Sequence, residues 1–506
     1  MSAYALASAS GVLLALSFPK FGHPAFGWIA LAPLLVALSG GTLWRAFTLG
    51  LLTGAIYFTG TLYWITGVMA TYGDMARLVA VPINAGLVVY QSLYVALFAL
   101  VVNRIVVKHG PPALMAAPIV WVVMELGRTR VLSGFPWVLL GYSQTTVLPI
   151  AQLASIFGVY GVSMLVASVS AALAMYAVAR IQGPAKVGHY APLVVATTIV
   201  IGVAAWGSHR TAVAEWTHAG EAIRVGLIQG NVDQDEKTQV GRAATIFQDY
   251  LRMTRQAIRE GAQFVIWPES STPFRFEDDF LAAGQVRALA LQARVPILFG
   301  SDQFVRGANG APTTFYNAAF LVRADGTTGG VYRKMHLVPF GEYVPAKKLL
   351  FFAAPLVQAV SDFSAGDEAT LLPVGDHLVS TAICYEVVYP DLVRRFVTGG
   401  SEMLTTITND AWFGPTSAPY QHFEQASMRA IEEGRYLVRS ANTGISGIVD
   451  PYGRVVARSG IFQPAVVVGD ARFLKTSTFY ARHGDVLAYA SLLATAALLV
   501  LGRRQA

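Results

Sequence analysis

The sequence predicts an α-helical membrane bundle of about eight transmembrane helices joined to an α/β domain of about 250 residues with a layered sandwich architecture. Two observations carry this. Of 506 residues, 54% are hydrophobic and 13% charged, about half the charged fraction of an ordinary soluble protein. The apolar residues are also unevenly placed: long apolar runs fill residues 1–210 and return at 486–502, while 220–475 has the mixed texture of a globular domain. The chain therefore divides into a membrane bundle (1–210), a domain (220–475) and a C-terminal membrane helix with a short tail (484–506). The net charge of +7 raises the question of nucleic acid. No cluster of lysine and arginine with interleaved aromatics is present, and a basic membrane protein facing anionic lipid accounts for the sign.

A helix spans the bilayer core with about 20 predominantly apolar residues. The runs that meet this are 3–19, 25–39, 46–71, 78–106, 112–127, 155–180, 190–207 and 486–502. No Lys or Arg precedes the first run, so it is a membrane helix rather than a signal peptide. The fifth is short and ends in Glu125, Arg128 and Arg130, and 134–150 has the character of a re-entrant or interfacial stretch. Seven helices before the domain place it on the side opposite the N-terminus. Arg45, Arg104, Lys108, Arg180, Lys186, Arg503 and Arg504 fall on one side, and Lys20, Arg77, Arg128 and Arg130 on the other. The richer side is cytoplasmic, which puts the domain outside, in the periplasm of a bacterium. A single cysteine, with no partner to pair with, is compatible with that oxidising compartment.

Within the domain, Ile223–Gln229 reads as a first buried strand, followed by a helix over Thr245–Glu260. The strand Phe264–Trp267, a helix near 281–293 and the strand Pro296–Gly300 come next. A strand over Asn317–Val322 turns at Asp325-Gly326 into another ending near Tyr332, a hairpin by its Asp-Gly signal. Leu378–Cys384, Met403–Thr408 and Gly447–Val449 supply further strands, with a helix over about 421–434. Strands alternating with helices, together with hairpins, give the layered α/β sandwich.

Cys384 is the only cysteine, and its apolar strand breaks into polar residues right after the sulfur. A lone cysteine is ordinarily a small buried hydrophobe. Two other segments change that reading. Phe264-Val265-Ile266-Trp267-Pro268-Glu269 ends an apolar strand on a carboxylate, and Val331-Tyr332-Arg333-Lys334 ends another on a lysine. A free thiol is only a few per cent thiolate at neutral pH and needs help. Glu269 could accept its proton, and Lys334 could stabilise both the thiolate and the oxyanion formed when sulfur attacks a carbonyl. Taken singly, Glu269 reads as a cap and Lys334 as a solvated charge; the three together read as a thiol acyl-transfer site.

Trp267-Pro268-Glu269, the segment Tyr332-Arg333-Lys334 through Pro339-Phe340-Gly341-Glu342, and Ile383-Cys384-Tyr385-Glu386 resemble the Glu-Lys-Cys signature of the nitrilase, or carbon–nitrogen hydrolase, superfamily. That family's fold is an αββα sandwich. The helices before the domain and the single helix after it extend the resemblance, over nearly the whole chain, to the apolipoprotein N-acyltransferases of the bacterial inner membrane. Thr408–Gly414 and Arg439–Ser446 are also similar to the family. One departure stands out: after Gln229-Gly230-Asn231, where the family often has a tryptophan, this chain has Glu236, Lys237 and Thr238. The resemblance implies Glu269 as general base, Lys334 as stabiliser of thiolate and oxyanion, and Cys384 as nucleophile. It implies Glu342 as a second carboxylate holding Lys334 or the base in register, and Tyr385, Glu386, Trp412 and Phe413 as residues that shape or support the pocket. A charge at a helix N-terminus is the alternative for Glu342. No cofactor is implied, and His336 and the other histidines lack metal-ligand spacing.

The function so implied is a ping-pong transfer. An acyl chain passes from a membrane phospholipid to Cys384 as a thioester, then to the amine of an apolipoprotein's N-terminal diacylglyceryl-cysteine. The same three residues would serve a membrane-tethered amidase or nitrilase that gives the acyl group to water. A transporter or scaffold carrying an inactive domain is the non-enzymatic alternative, against which stand the intact Glu-Lys-Cys set and the scarcity of polar residues within the helices besides Glu125. After Lys347-Lys348, the run Leu349–Val357 is apolar but too short to span. Residues 345–357 read either as a buried core helix or as an arm dipping into the bilayer.

Overall fold

The computed structural model describes residues 2–71, 75–183, 187–233, 240–307, 312–339, 341–343 and 363–501. The proposed arm over 345–357 and the segment Glu236-Lys237-Thr238 lie outside these residues. The chain forms two compact units, Met1–Thr66 with Ala76–Val213 and Thr478–Ala506, and Gly67–Met75 with Ala214–Ser477.

The first unit is helical. Among the described residues, Arg77–His109, Ala154–Ile181 and Ala191–Thr217 are long and apolar enough to cross a bilayer, and the bent pair Leu43–Leu62 and Trp64–Thr71 makes a fourth candidate. Two expected spans are broken. Residues 25–39 become Pro24–Phe26, Gly27–Ala30 and Ala32–Ala37, and residues 112–127 become the 3₁₀ segment Pro111–Ala116 followed by Ala117–Arg130. Pro24, Pro33, Pro111, Pro112 and Pro118 explain the interruptions, because proline starts helices readily and cannot continue them. Gly50 and Gly54 let Leu43–Leu62 approach Arg77–His109 closely: a Cβ on Gly50 would lie 2.5 Å from the Val95 carbonyl oxygen, and one on Gly54 2.7 Å from Ser92 Cα.

Glu125 and Arg128, unusual in an apolar setting, have a structural use. The segment after Arg130 is largely non-helical, and backbone of that kind survives at membrane depth only when protein groups satisfy it. Glu125 Oε1 accepts the Leu140 N–H at 2.6 Å, Arg128 Nη2 donates to the Trp137 carbonyl at 2.6 Å, and the Ser163 hydroxyl accepts the Gly141 N–H at 2.8 Å. The Tyr57 hydroxyl donates to the Val138 carbonyl.

The second unit is a four-layer α/β sandwich. Its strands are β1 (Ala222–Gln229), β2 (Phe264–Ile266), β3 (Ile297–Arg306), β4 (Pro312–Val322), β5 (Thr328–Arg333), β6 (Leu372–Val374), β7 (His377–Ile383), β8 (Met403–Thr408), β9 (Leu437–Ala441), β10 (Gly447–Val449), β11 (Val455–Arg458) and β12 (Ala465–Arg472). They form two six-stranded sheets, ordered β12-β1-β2-β3-β4-β5 and β11-β10-β9-β8-β7-β6. Helices Val240–Arg259 and Phe280–Ala293 pack on the first sheet, and Pro390–Thr398 and Ala418–Glu433 on the second. Within the first sheet and its helices the core is aromatic: Trp267 lies between Tyr250 and Phe299, with ring centroids 5.2 and 5.6 Å away, and its indole N–H donates to Thr254 at 2.7 Å. Strands β1, β2 and β3 are parallel, as are β7, β8 and β9. Because β4 runs antiparallel to both β3 and β5, β2 and β5 end at the same edge.

His377 joins the two sheets at their far edge. Its Nδ1 lies 2.6 Å from Glu402 and its Nε2 3.1 Å from Glu221, the ring stacks on Phe473 at 4.0 Å, and Lys475 approaches Glu402 at 3.7 Å. Burial opposes the imidazolium, but the hydrogen bonds to Glu402 and Glu221 outweigh it and hold the ring above its ordinary value. A raised folded value means that the stabilisation is complete below the unfolded pKa of about 6.5 and is lost as pH rises through the folded one. The thermal midpoint of the full-length protein should therefore lose a component as pH is raised above about 6.5. His377→Phe, which keeps the stacking, should flatten that part of the profile; an unchanged slope would show that the pairing contributes nothing.

Candidate active site

Glu269 follows β2, Lys334 follows β5, and Cys384 and Asn409 follow β7 and β8. All sit at carboxyl ends of strands, the edge where α/β sheets place their reactive loops. Gly300 on β3 allows the first of these loops to close, since a Cβ there would lie 2.7 Å from Glu269 Cα.

Lys334 is buried, and its ammonium donates to Glu342 Oε1 at 2.9 Å and to Glu269 Oε1 at 3.4 Å. Burial alone would lower its pKa, but the Glu342 and Glu269 carboxylates outweigh it and hold the ammonium above the usual lysine range. Asn317, from β4, clamps the pair by donating to Glu269 Oε1 at 2.8 Å and to Glu342 Oε1 at 2.9 Å. Glu269 Oε2 accepts the Asn409 N–H at 2.8 Å, a bond from the first sheet's loop to the second's. Glu342 Oε2 accepts the Val338 N–H at 2.8 Å, so this carboxylate braces both Lys334 and its own loop.

Cys384 leaves the strand it was expected to end and opens the 3₁₀ turn Cys384–Val388, with φ +54°. That left-handed conformation costs a non-glycine residue about 1–3 kcal/mol. A sharp strand-to-helix elbow presents the side chain at its tip. Burial pushes the thiol up, the Glu269 carboxylate adds to the push, and the Lys334 ammonium offsets only part of it.

Glu386 ties the lysine loop to the cysteine elbow. Its Oε1 accepts from the Tyr332 hydroxyl at 2.8 Å and from the Met335 and His336 N–H groups at 2.7 and 3.0 Å, while Oε2 accepts the Ile383 N–H at 2.7 Å. Burial raises its carboxyl to about 7 against the pull of these donors and of Lys334. Tyr385 and Tyr389 pack edge to face at 5.1 Å, with the His336 ring tilted against Tyr389 at 3.9 Å. Burial, chiefly, lowers His336 to about 4. Trp412 and Phe413 lie half-buried in the 3₁₀ turn Asp410–Phe413.

A family model described as the apolipoprotein N-acyltransferase N-terminal domain matches residues 10–172, and one described as carbon–nitrogen hydrolase matches residues 224–475. An apolipoprotein N-acyltransferase of Geobacter metallireducens is 40% identical over 506 residues, covering 99% of this chain and 95% of that protein. The chain belongs to the apolipoprotein N-acyltransferase family. A second member, from Methylococcus capsulatus, is 35% identical over 498 residues, covering 96% of this chain and 93% of that protein. Among solved structures, an amidase from Nesterenkonia sp. is similar at 19% identity with a TM-score of 0.39, covering 54% of this chain and 97% of that one.

Several polar residues around the candidate site are not legible in the sequence. Asn317 was visible only as an amide inside an apolar strand. Thr408, Asn409, Asp410, Arg439 and Asn442 lay in segments singled out for family likeness but without roles, and His422 carried no signal. Asn442 connects the second sheet to the loop after β1, donating to the Val232 carbonyl at 2.7 Å and to Asn409 Oδ1 at 2.9 Å.

Removing the ammonium while leaving both carboxylates buried should be severe. Lys334→Met should destabilise the folded protein by about 3–5 kcal/mol, the cost of an orphaned buried charge. Glu342→Gln added to it should recover part of the loss. Chemical denaturation of the single and double variants measures this coupling, and additive losses would mean that the ion pair is not coupled.

Proposed function

We propose that this protein transfers an acyl chain from a membrane phospholipid to the N-terminal amine of a diacylated apolipoprotein, through a thioester on Cys384. The observation that carries the reading is the buried Lys334 ammonium braced by Glu269 and Glu342 beside a cysteine held at a strained elbow. The thiol proton moves to Glu269 as sulfur attacks the ester carbonyl carbon. The oxyanion so formed is stabilised by Lys334 and collapses, expelling the lysophospholipid alkoxide, which takes the proton back from Glu269. In the second half-reaction the acceptor amine attacks the thioester, Glu269 accepts its proton, and the tetrahedral intermediate expels the Cys384 sulfur, which is reprotonated. The two halves use one base in both directions. Tyr385, Trp412 and Phe413 shape the pocket, and Glu386 aligns the two loops. No cofactor or metal enters the scheme.

The bundle, with about eight membrane segments over 1–210 and 484–506, would bring a catalytic domain over 220–475 to the surface where both lipid-anchored substrates lie. We place that domain on the periplasmic face of the bacterial inner membrane. In support, Arg128 is buried and bonded inside the helical unit, to Gln91 and the Trp137 carbonyl, so it is not a loop charge on the poorer side.

Incubation with phospholipid should give a hydroxylamine-labile acyl adduct, visible by intact mass spectrometry and absent from Cys384→Ser; an adduct that persists in that variant would move the nucleophile elsewhere. Lys334→Ala should slow adduct formation by about 10²–10³-fold, the loss of one oxyanion donor, and acylation at the normal rate would remove Lys334 from the chemistry. A reporter active only outside the cytoplasm should function when fused after Arg210, and activity of a cytoplasm-only reporter there would reverse the topology.

A further inference from the structure

The geometry points to His422 as a positioning residue for the nucleophile, holding the Cys384 peptide in its left-handed conformation by a hydrogen bond to the Cys384 carbonyl. This rests on the catalytic reading of Cys384. His422 belongs to the helix Ala418–Glu433 and is fully buried, with Nε2 3.2 Å from the Cys384 oxygen. A carbonyl can only accept, so Nε2 must carry the hydrogen. Nδ1 lies 3.0 Å from both Arg439 Nη2 and Asp410 Oδ1; in a neutral ring whose one hydrogen is on Nε2, Nδ1 accepts from Arg439, and that hydrogen faces Cys384. Burial and the Arg439 charge both disfavour a second proton on the ring.

Asp410 anchors the group. It accepts from Arg439 Nη2 at 2.9 Å and from the Thr408 hydroxyl at 2.8 Å, and its Oδ1 lies 3.0 Å from His422 Nδ1. Arg439 Nε in turn donates to the Ile445 carbonyl at 3.2 Å. The space is closed tightly: a Cβ on Gly444 would collide with the Asp410 carboxylate. The cysteine is thus fixed on both flanks. Glu386 holds the N–H of Ile383 before it, and His422 holds the carbonyl after it. With the carbonyl after Cys384 held by His422 and the strand end held one peptide earlier at Ile383, the direction of the sulfur is set, and a misplacement of about 1 Å at a reacting atom costs about 10²-fold in rate.

The test uses the full-length protein in vesicles of phosphatidylethanolamine and phosphatidylglycerol, following acyl adduct formation on Cys384 by rapid-quench mass spectrometry. His422→Gln places an amide N–H near the Nε2 position, His422→Asn reaches only as far as Nδ1, and His422→Leu supplies no donor. Asn and Leu should slow adduct formation by about 10- to 100-fold with an unchanged half-saturating phospholipid concentration, and Gln should recover most of the rate. A purely structural role predicts the opposite ranking or none, because Asn retains the contact with Asp410 and Arg439. Equal rates for Gln and Asn, or losses that track the fall in thermal midpoint, overturn the inference. If Leu does not fold, the Gln and Asn pair decides alone. Absence of any adduct in the unsubstituted protein would overturn the catalytic reading of Cys384 itself, whereas a normal rate in His422→Asn removes only the role of His422.

Discussion

Taking an ammonium and two carboxylates out of water together is tolerable only if every charge has a partner and the remaining hydrogen-bonding positions are filled. The surroundings of Lys334 follow from that requirement. Asn317 must reach both carboxylates, Val338 must turn its N–H toward Glu342, and Asn409 must offer its backbone N–H to Glu269. These partners come from the loops after β2, β5 and β8 and from β4 itself. The ion set therefore demands that the carboxyl edges of both sheets meet in one register, and a shift of either sheet would strand a buried charge.

The fold was legible wherever periodicity ran long enough. The helices near 245–260 and 281–293, the β4–β5 hairpin at Asp325-Gly326 and the strands leading to Glu269 and Cys384 were expected and are found. Strands β6, β9, β11 and β12 were not. Three of these have five residues or fewer, too short for a period of two to register. Moreover, β9 carries Arg439 and Ser440 facing buried partners, so its polarity hides its burial. In the helical unit the count of apolar residues suggested spans where prolines break the helix, because hydropathy averages over a window and a proline acts at one position.

The site was legible to the depth at which chemistry dictates residue type. A base, an ammonium and a thiol at strand ends form a recognisable set, and Glu342 stood out through its loop. What could not be read is the layer behind them. Asn317, Asp410, His422 and Arg439 act through distances between segments remote in sequence, and nothing in the local pattern around His422 distinguishes it from a residue on the buried face of a helix. Glu386 is intermediate: its position beside the cysteine was evident, but its four hydrogen bonds to two loops were not.

Strain and electrostatics at Cys384 work in the same direction. A thiolate standing ready in the resting site would face Glu269 in a buried setting and would be exposed to oxidation and adventitious acylation. Burial and the Glu269 carboxylate both oppose that anion, and on the proposed reading the proton leaves as an acyl carbonyl arrives to receive the sulfur. On that reading the reaction leans on alignment: the elbow's left-handed φ, the Glu386 bond before it and the His422 bond after it set where the sulfur points.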